Sequence, residues 1–239
     1  MRRLAYVSFA VLAMSLWVPR AHAQHEGTAG LAISIPHGEL DENTDTGFGF
    51  TGEYAYAPTA NRAFGFGGTV SFLTYGSTER RVPLSTTIPD IRVDVETSNN
   101  MAFLQGMLQL KAPTGGVKPY GNVTGGLAWF STTTTLRDTR FDREVITDTN
   151  QSDGTWVVGA GGGLQVHVWT GQTSPSVGNE PPRPPARAYV DVGARYLRGG
   201  EVEYLKEGPI FTREGQARIE PVLSDIELTQ VLLGVTVEF

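Results

Sequence analysis

The chain has 239 residues, with 19 basic and 25 acidic side chains, 29 glycines and no cysteine. Without cysteine there is neither a disulfide staple nor a thiolate metal site, and a net charge of −6 excludes the basic footprint of a nucleic-acid binder. The length fits one large domain.

The first segment reads as an export signal. Arg2 and Arg3 precede an apolar run from Leu4 to Val18, and Ala21-His22-Ala23 supplies the small residues of a cleavage site before Gln24. The run is short for a bilayer-spanning helix. The expected domain layout is therefore a leader over residues 1–23 and one domain over 24–239. Loss of Arg2, Arg3 and Arg20 leaves 16 basic against 25 acidic groups, a net charge of −9.

From Gln24 onward the apolar pattern has a period of two. GTAGLAISI sets Leu31, Ile33 and Ile35 on one face. GFGFTGEYAYA sets Phe48, Phe50, Tyr54 and Tyr56 against Thr51 and Glu53. AFGFGGTVSFLTY does the same with Phe64, Phe66, Val70 and Phe72. NMAFLQGMLQLK places Leu104, Leu108 and Leu110 against Gln105, Gln109 and Lys111, although Phe103 and Met107 blur the contrast. PYGNVTGGLAWFS carries Val123, Leu127 and Trp129, and TWVVGAGGGLQVHVW carries Trp156, Val158, Leu164 and Val166. RAYVDVGARYL and LTQVLLGVTVEF complete a set of eight.

Runs of about 9 to 14 residues suit tilted membrane crossings better than ordinary strands. The links at 58–62 and 112–118 are short, whereas those at 37–46, 76–99, 132–153 and 199–225 are long and charged. That alternation predicts periplasmic turns and external loops. The proline-rich link at 170–186 breaks the rule and reads as a solvated loop.

The two faces differ in charge. The apolar parity carries no ionised residue in the strand centres, where an arginine against lipid costs about 2–4 kcal/mol. Glu53, Asp191 and Arg195 fall on the other parity, with Lys111, Arg187 and Glu238 near the ends. Asp191 and Arg195 are separated by roughly 13 Å along an extended strand, too far for a direct pair. Their burial predicts an internal polar network of Glu53, Gln165, His167, Asp191, Arg195 and Gln230. Aromatic residues mark two levels of the apolar face. Phe48, Phe72, Trp129, Trp156 and Tyr196 lie at the outer ends, Tyr56 and Phe64 at the inner ends, as interfacial girdles do.

Inward glycines such as Gly161, Gly163 and Gly193 leave room for longer side chains in a narrow interior. GAGGG is not a phosphate loop, because the alternation runs straight through it instead of opening a helix.

On the strength of the leader, PYGNVTGGLAW, GAGGGLQV and the terminal GVTVEF, the chain resembles the eight-stranded outer-membrane barrels of the OmpA, OmpX and OmpW type over nearly all of 24–239. The resemblance implies an all-β, antiparallel up-and-down transmembrane barrel in the bacterial outer membrane. It also implies that Gly234, Val235, Val237 and Phe239 form the signal read by the barrel-insertion machinery, with Leu232 a departure from the usual polar residue.

The histidines give no catalytic grouping. His167-Val168-Trp169 lacks the serine of the lipid A deacylases that the resemblance brings to mind, and His25 and His37 have no second ligand at metal spacing. No enzyme activity, cofactor or metal is expected. The expected role is structural or surface-binding, with outer-membrane lipids and lipopolysaccharide as partners. A narrow passive channel for small or hydrophobic molecules is the alternative, followed by a lipid-modifying enzyme and a soluble periplasmic barrel.

Overall fold

The structure is a computed structural model that describes residues 24–42, 44–59, 61–83, 92–138, 143–172, 185–205, 211–213, 216–218 and 221–239. The leader, most of the proline-rich link and the tips of three long loops lie outside the described residues.

The described residues form ten strands: β1 (Gln24–Pro36), β2 (Gly47–Ala57), β3 (Phe64–Pro83), β4 (Arg92–Lys111), β5 (Val117–Asp138), β6 (Arg143–Thr170), β7 (Arg187–Leu205), the short pair β8 (Phe211–Arg213) and β9 (Gln216–Arg218), and β10 (Pro221–Glu238). Eight of them form a closed antiparallel barrel in the order β1-β10-β7-β6-β5-β4-β3-β2. The first and last strands close the ring, with Gly30 opposite Gly234 and Leu31 opposite Leu233. Gln24, Phe239 and the short turns lie at one end, called here the turn end. The long connections lie at the loop end, except the proline-rich link, whose flanking residues Thr170 and Arg187 are at the turn end.

Over the turn-end part of the barrel, alternation decides which way each side chain points. Phe50 is 69% exposed on the outside and its neighbour Thr51 only 7% exposed on the inside; Leu233 and Leu232 stand at 53% and 8%. Phe103 and Met107, which blur the fourth run, face the interior and are buried.

Beyond the aromatic level at the loop end, the strands differ from expectation. The ladder continues through 76–83, 92–99, 132–138, 143–153, 199–205 and 221–225, which the sequence pattern assigns to loops. Outside the apolar band a strand needs no greasy outer face, so polar β-formers such as Thr132–Thr135 pair as well as valine. In this region the apolar residues face inward instead: Leu228, Ile226, Val202 and Tyr204 are fully buried, with Asp225 and Glu201 outside.

Two of the bulges at this level carry glycine, and two further register shifts lie on β6 opposite Thr132–Thr133 and Leu136–Arg137. Thr74 pairs Asn100 and Ser77 pairs Ser98, leaving an extra residue at Tyr75–Gly76, where Gly76 adopts φ +93°. Arg198 pairs Glu227 and Glu201 pairs Asp225, placing the second extra residue at Gly199–Gly200. A separate irregularity at Val168 moves Trp169 to the outside, so both residues are exposed.

Candidate functional site in the barrel lumen

The lumen has a charged half at the turn end and an apolar half at the loop end. In the charged half, Glu238 is the hub. Its carboxylate accepts from Lys111 Nζ at 2.8 Å, from Lys118 Nζ at 2.9 and 3.1 Å and from the Tyr189 hydroxyl at 3.1 Å. Arg62 adds an ion pair at 2.9 Å. Lys111 also bonds Glu26, which stands directly opposite Glu238 in the closing register.

Gln165 links this cluster to the next by donating Nε2 to Glu26 at 2.7 Å and to Asp191 at 3.1 Å. Asp191 further accepts from Tyr120 at 2.8 Å and from Thr236 at 3.0 Å, and the Thr28 and Thr236 hydroxyls lie 2.8 Å apart. Arg195, 1% exposed, pairs with Glu53 at 2.6 Å and reaches Asn122 at 3.4 Å. Glu26, Glu53 and Glu238 are thus paired with cations, which offsets their desolvation, while Asp191 is held by three neutral donors.

Tyr120 owes its position to two glycines. It is opposite Gly163, which is opposite Gly193 on the next strand. A Cβ at Gly163 or Gly193 would stand 2.7 or 2.5 Å from the Tyr120 hydroxyl, so only glycine lets the ring reach Asp191. The outer tryptophans use the same device, with Trp129 lying over Gly154 and Trp156 over Gly200.

Of the residues singled out from sequence, Glu53, Gln165, Asp191 and Arg195 make these bonds. His167 is exposed at the turn-end mouth, bonded to Thr170 at 2.7 Å and edge-on to Tyr189, and it joins none of them. Gln230 is buried in the lumen opposite Arg195, without a hydrogen bond to its side chain. Asp191 and Arg195 do not touch, as their spacing required. Sequence reasoning missed Glu26, Lys118, Tyr120 and Arg62 as members, and it turned Lys111 and Glu238 inward without joining them to the network. The first three share the inward parity of Thr28 and Asn122, which was the available signal.

The apolar half is a stopper. Tyr75, Phe130 and Tyr204 meet ring to ring at 5.7 to 6.4 Å between centroids. Leu40, from the connection after β1, folds in beside them and is fully buried, fixed by Thr44, whose backbone N–H and hydroxyl both donate to the Leu40 carbonyl. In the charged half, a void beside Arg62, Glu26 and Lys111 and another beside Glu53, Tyr120 and Asp191 measure about 10 Å³ each, room for about one water apiece.

On the outside, Phe48, Phe72, Trp129, Trp156 and Tyr196 ring the loop-end limit of the apolar band, with Tyr56, Phe64 and Phe239 at the turn-end limit. His25 stacks on Phe239 with centroids 5.7 Å apart, and its Nδ1 is 2.6 Å from the Tyr54 hydroxyl. His37 stacks on Tyr196 and bonds Thr229 at 2.9 Å. Among the described residues no three His, Cys, Asp or Glu side chains converge as a metal site, and no helix is long and apolar enough to cross a membrane.

A closed barrel with an apolar outer band and a polar, plugged interior is the architecture of a transmembrane β-barrel. Residues 6–202 match the outer membrane protein beta-barrel domain, and the chain belongs to that family. No curated protein matches it in sequence. Among solved structures it is similar to Neisserial surface protein A, at 12% identity and TM-score 0.42 over 92% of this chain and 98% of the other. It is also similar to Ail, the attachment invasion locus protein of Yersinia pestis, at 16% identity and TM-score 0.36 over 91% and 99%. A major outer membrane protein of Thermus thermophilus aligns at 13% identity and TM-score 0.43 over the same shares.

Proposed function

We propose that this protein is a closed, non-catalytic barrel of the bacterial outer membrane that acts as a scaffold and binds at the cell surface through its external loops. The leader is removed before Gln24, the turn end lies in the periplasm and the loop end outside. The apolar band rests against outer-membrane lipids and lipopolysaccharide, held at two levels by the aromatic girdles. Gly234, Val235, Val237 and Phe239 present the last strand to the insertion machinery. The observation that carries this reading is the filled lumen: balanced ion pairs in one half and a ring-packed stopper in the other leave no path for solute among the described residues, so function falls to the loops. The same packing speaks against the narrow-channel reading.

Membrane fractionation, with gel mobility compared before and after boiling, tests the placement. The protein is expected in the outer-membrane fraction with a faster-running unboiled band, and detergent-free release would remove the reading. Retention of detergent-solubilised protein on immobilised lipopolysaccharide tests the surface role, and equal retention after the connections at 84–91 and 206–220 are shortened would remove the loops from it.

A further inference from the structure

The turn-end mouth contains a residue in an unusual conformation. Arg62, in the connection between β2 and β3, has φ +53°, a left-handed backbone that side chains other than glycine rarely adopt. The turn holds it there: Arg62 N–H donates to the Thr59 carbonyl at 3.0 Å, and Asn61 Oδ1 accepts from the Ala63 N–H at 3.1 Å. In this pose the guanidinium reaches the closing strands. One terminal nitrogen pairs with Glu238 at 2.9 Å, while Nε donates to the side-chain carbonyl of Gln24 at 2.5 Å.

Gln24 is the residue that removal of the leader would expose. An amino-terminal glutamine carries a nucleophile and an electrophile at the two ends of a five-atom chain, N–Cα–Cβ–Cγ–Cδ. The lone pair of its α-nitrogen attacks Cδ of its own side chain, the Cδ–Nε2 bond breaks, and ammonia leaves with the proton given up by the α-nitrogen. The product is a neutral five-membered lactam, and no oxidant or co-reactant is consumed. The oxygen that Arg62 touches is the one that bears negative charge in the tetrahedral intermediate and survives as the lactam carbonyl. A cationic donor aimed at that oxygen stabilises the intermediate.

Local order favours the same outcome. Gln24 pairs with Ala57, and the next residue, His25, exchanges both backbone hydrogen bonds with Phe239 at 2.9 Å, so residue 24 is fixed on the first rung of the ladder. Ring closure also removes an α-ammonium that would otherwise sit on the residue bonded to the Arg62 cation.

We propose that the mature chain begins with a pyroglutamyl group at position 24, closed from Gln24 and held by Arg62. This rests on the leader being cut before Gln24. The test is mass spectrometry of the amino-terminal peptide of protein extracted from the outer-membrane fraction, with a synthetic QHEGTAG peptide carried through the same work-up. The expected peptide starts at residue 24 and is lighter by about 17 Da, the mass of ammonia, while the synthetic peptide stays open. A free-amine glutamine at position 24, or equal closure of the synthetic peptide, overturns the modification while leaving the cleavage reading intact. A different first residue overturns the cleavage reading and the modification with it. For the role of Arg62, protein released by a site-specific protease to begin at Gln24 is refolded in detergent and ammonia loss is timed. R62A is expected to slow closure by about tenfold, equivalent to roughly 1.4 kcal/mol. Equal rates for R62A and the unchanged protein would leave Arg62 without a role in it.

Discussion

Glu26 and Glu238 stand directly opposite each other on the two strands that close the barrel, and the Lys111 ammonium from the opposite wall bonds both carboxylates. Two like charges in that relationship repel and destabilise a sheet. Here the repulsion lies at the closing seam, so the seam depends on a lysine contributed by β4. Replacing Lys111 by Met is expected to cost about 3 kcal/mol, because a buried charge loses its counter-ion. Adding Glu26→Gln should recover part of that loss. Urea unfolding midpoints in detergent measure both, and a double variant no more stable than K111M would show that the repulsion is not what the lysine relieves.

The Tyr120–Asp191 bond depends on the glycines beneath the ring. Tyr120→Phe and Gly193→Ala remove the same bond by different routes, and each is expected to cost about 1–3 kcal/mol. Their combination should cost little more than the larger single change. Additive losses in the same unfolding assay would mean that the ring and the glycines act separately.

Leu233 faces outward in mid-band, whereas Ser131 lies outward just past Trp129 at the loop-end limit. In lipid vesicles Leu233→Arg is expected to lower unfolding free energy by about 2–4 kcal/mol and Ser131→Arg by about 0–1 kcal/mol. In the outer part the rule inverts, and Leu228→Arg, which places a charge inside the stopper, should prevent stable folding. Equal tolerance at all three positions would contradict the placement of the apolar band.

Planar bilayers are expected to show no steady single-channel current. Loosening the charged half alone, by Arg195→Ala, should leave the barrel silent because Tyr75, Phe130 and Tyr204 still fill the other half. Opening is expected only when the stopper is cut as well, for example by Phe130→Ala with Tyr204→Ala. Steady current through the unaltered protein would defeat the sealed-lumen reading.

The closing-strand role of Phe239 has its own measurement. Phe239→Ala removes the ring that stacks on His25, and the fraction of heat-modifiable, folded barrel recovered from membranes should fall several-fold. Unchanged recovery would separate the terminal ring from assembly.

Strand number and order were legible because lipid is an unforgiving solvent: every crossing must show an unbroken apolar parity, from Leu31 in the first to Val237 in the last. The inward charges Glu53, Asp191 and Arg195 could be read for the same reason. Glu26 and Lys118 were overlooked because they lie at strand ends where that parity fades, and Tyr120 because an inward tyrosine looks like any other strand aromatic. Reach into water was not legible either. Once a strand leaves the bilayer its outer face is polar and its inner face apolar, so Ile226 and Leu228 carry the opposite pattern from Val231 and Leu233 on one continuous strand. The bulges at Gly76 and Gly199–Gly200 hide this exchange further, since each shifts the register by one. Arg62 was beyond sequence reasoning, as its role comes from a backbone angle and a partner 176 positions away in the chain.

The exchange of greasy face along the strands gives the barrel an upper storey built like a small water-soluble protein and standing on a lipid-embedded pedestal. From Ser131 to Asp138 the fifth strand climbs roughly 20 Å more along its own axis. The strand ends from which the long connections depart therefore stand well clear of the apolar band.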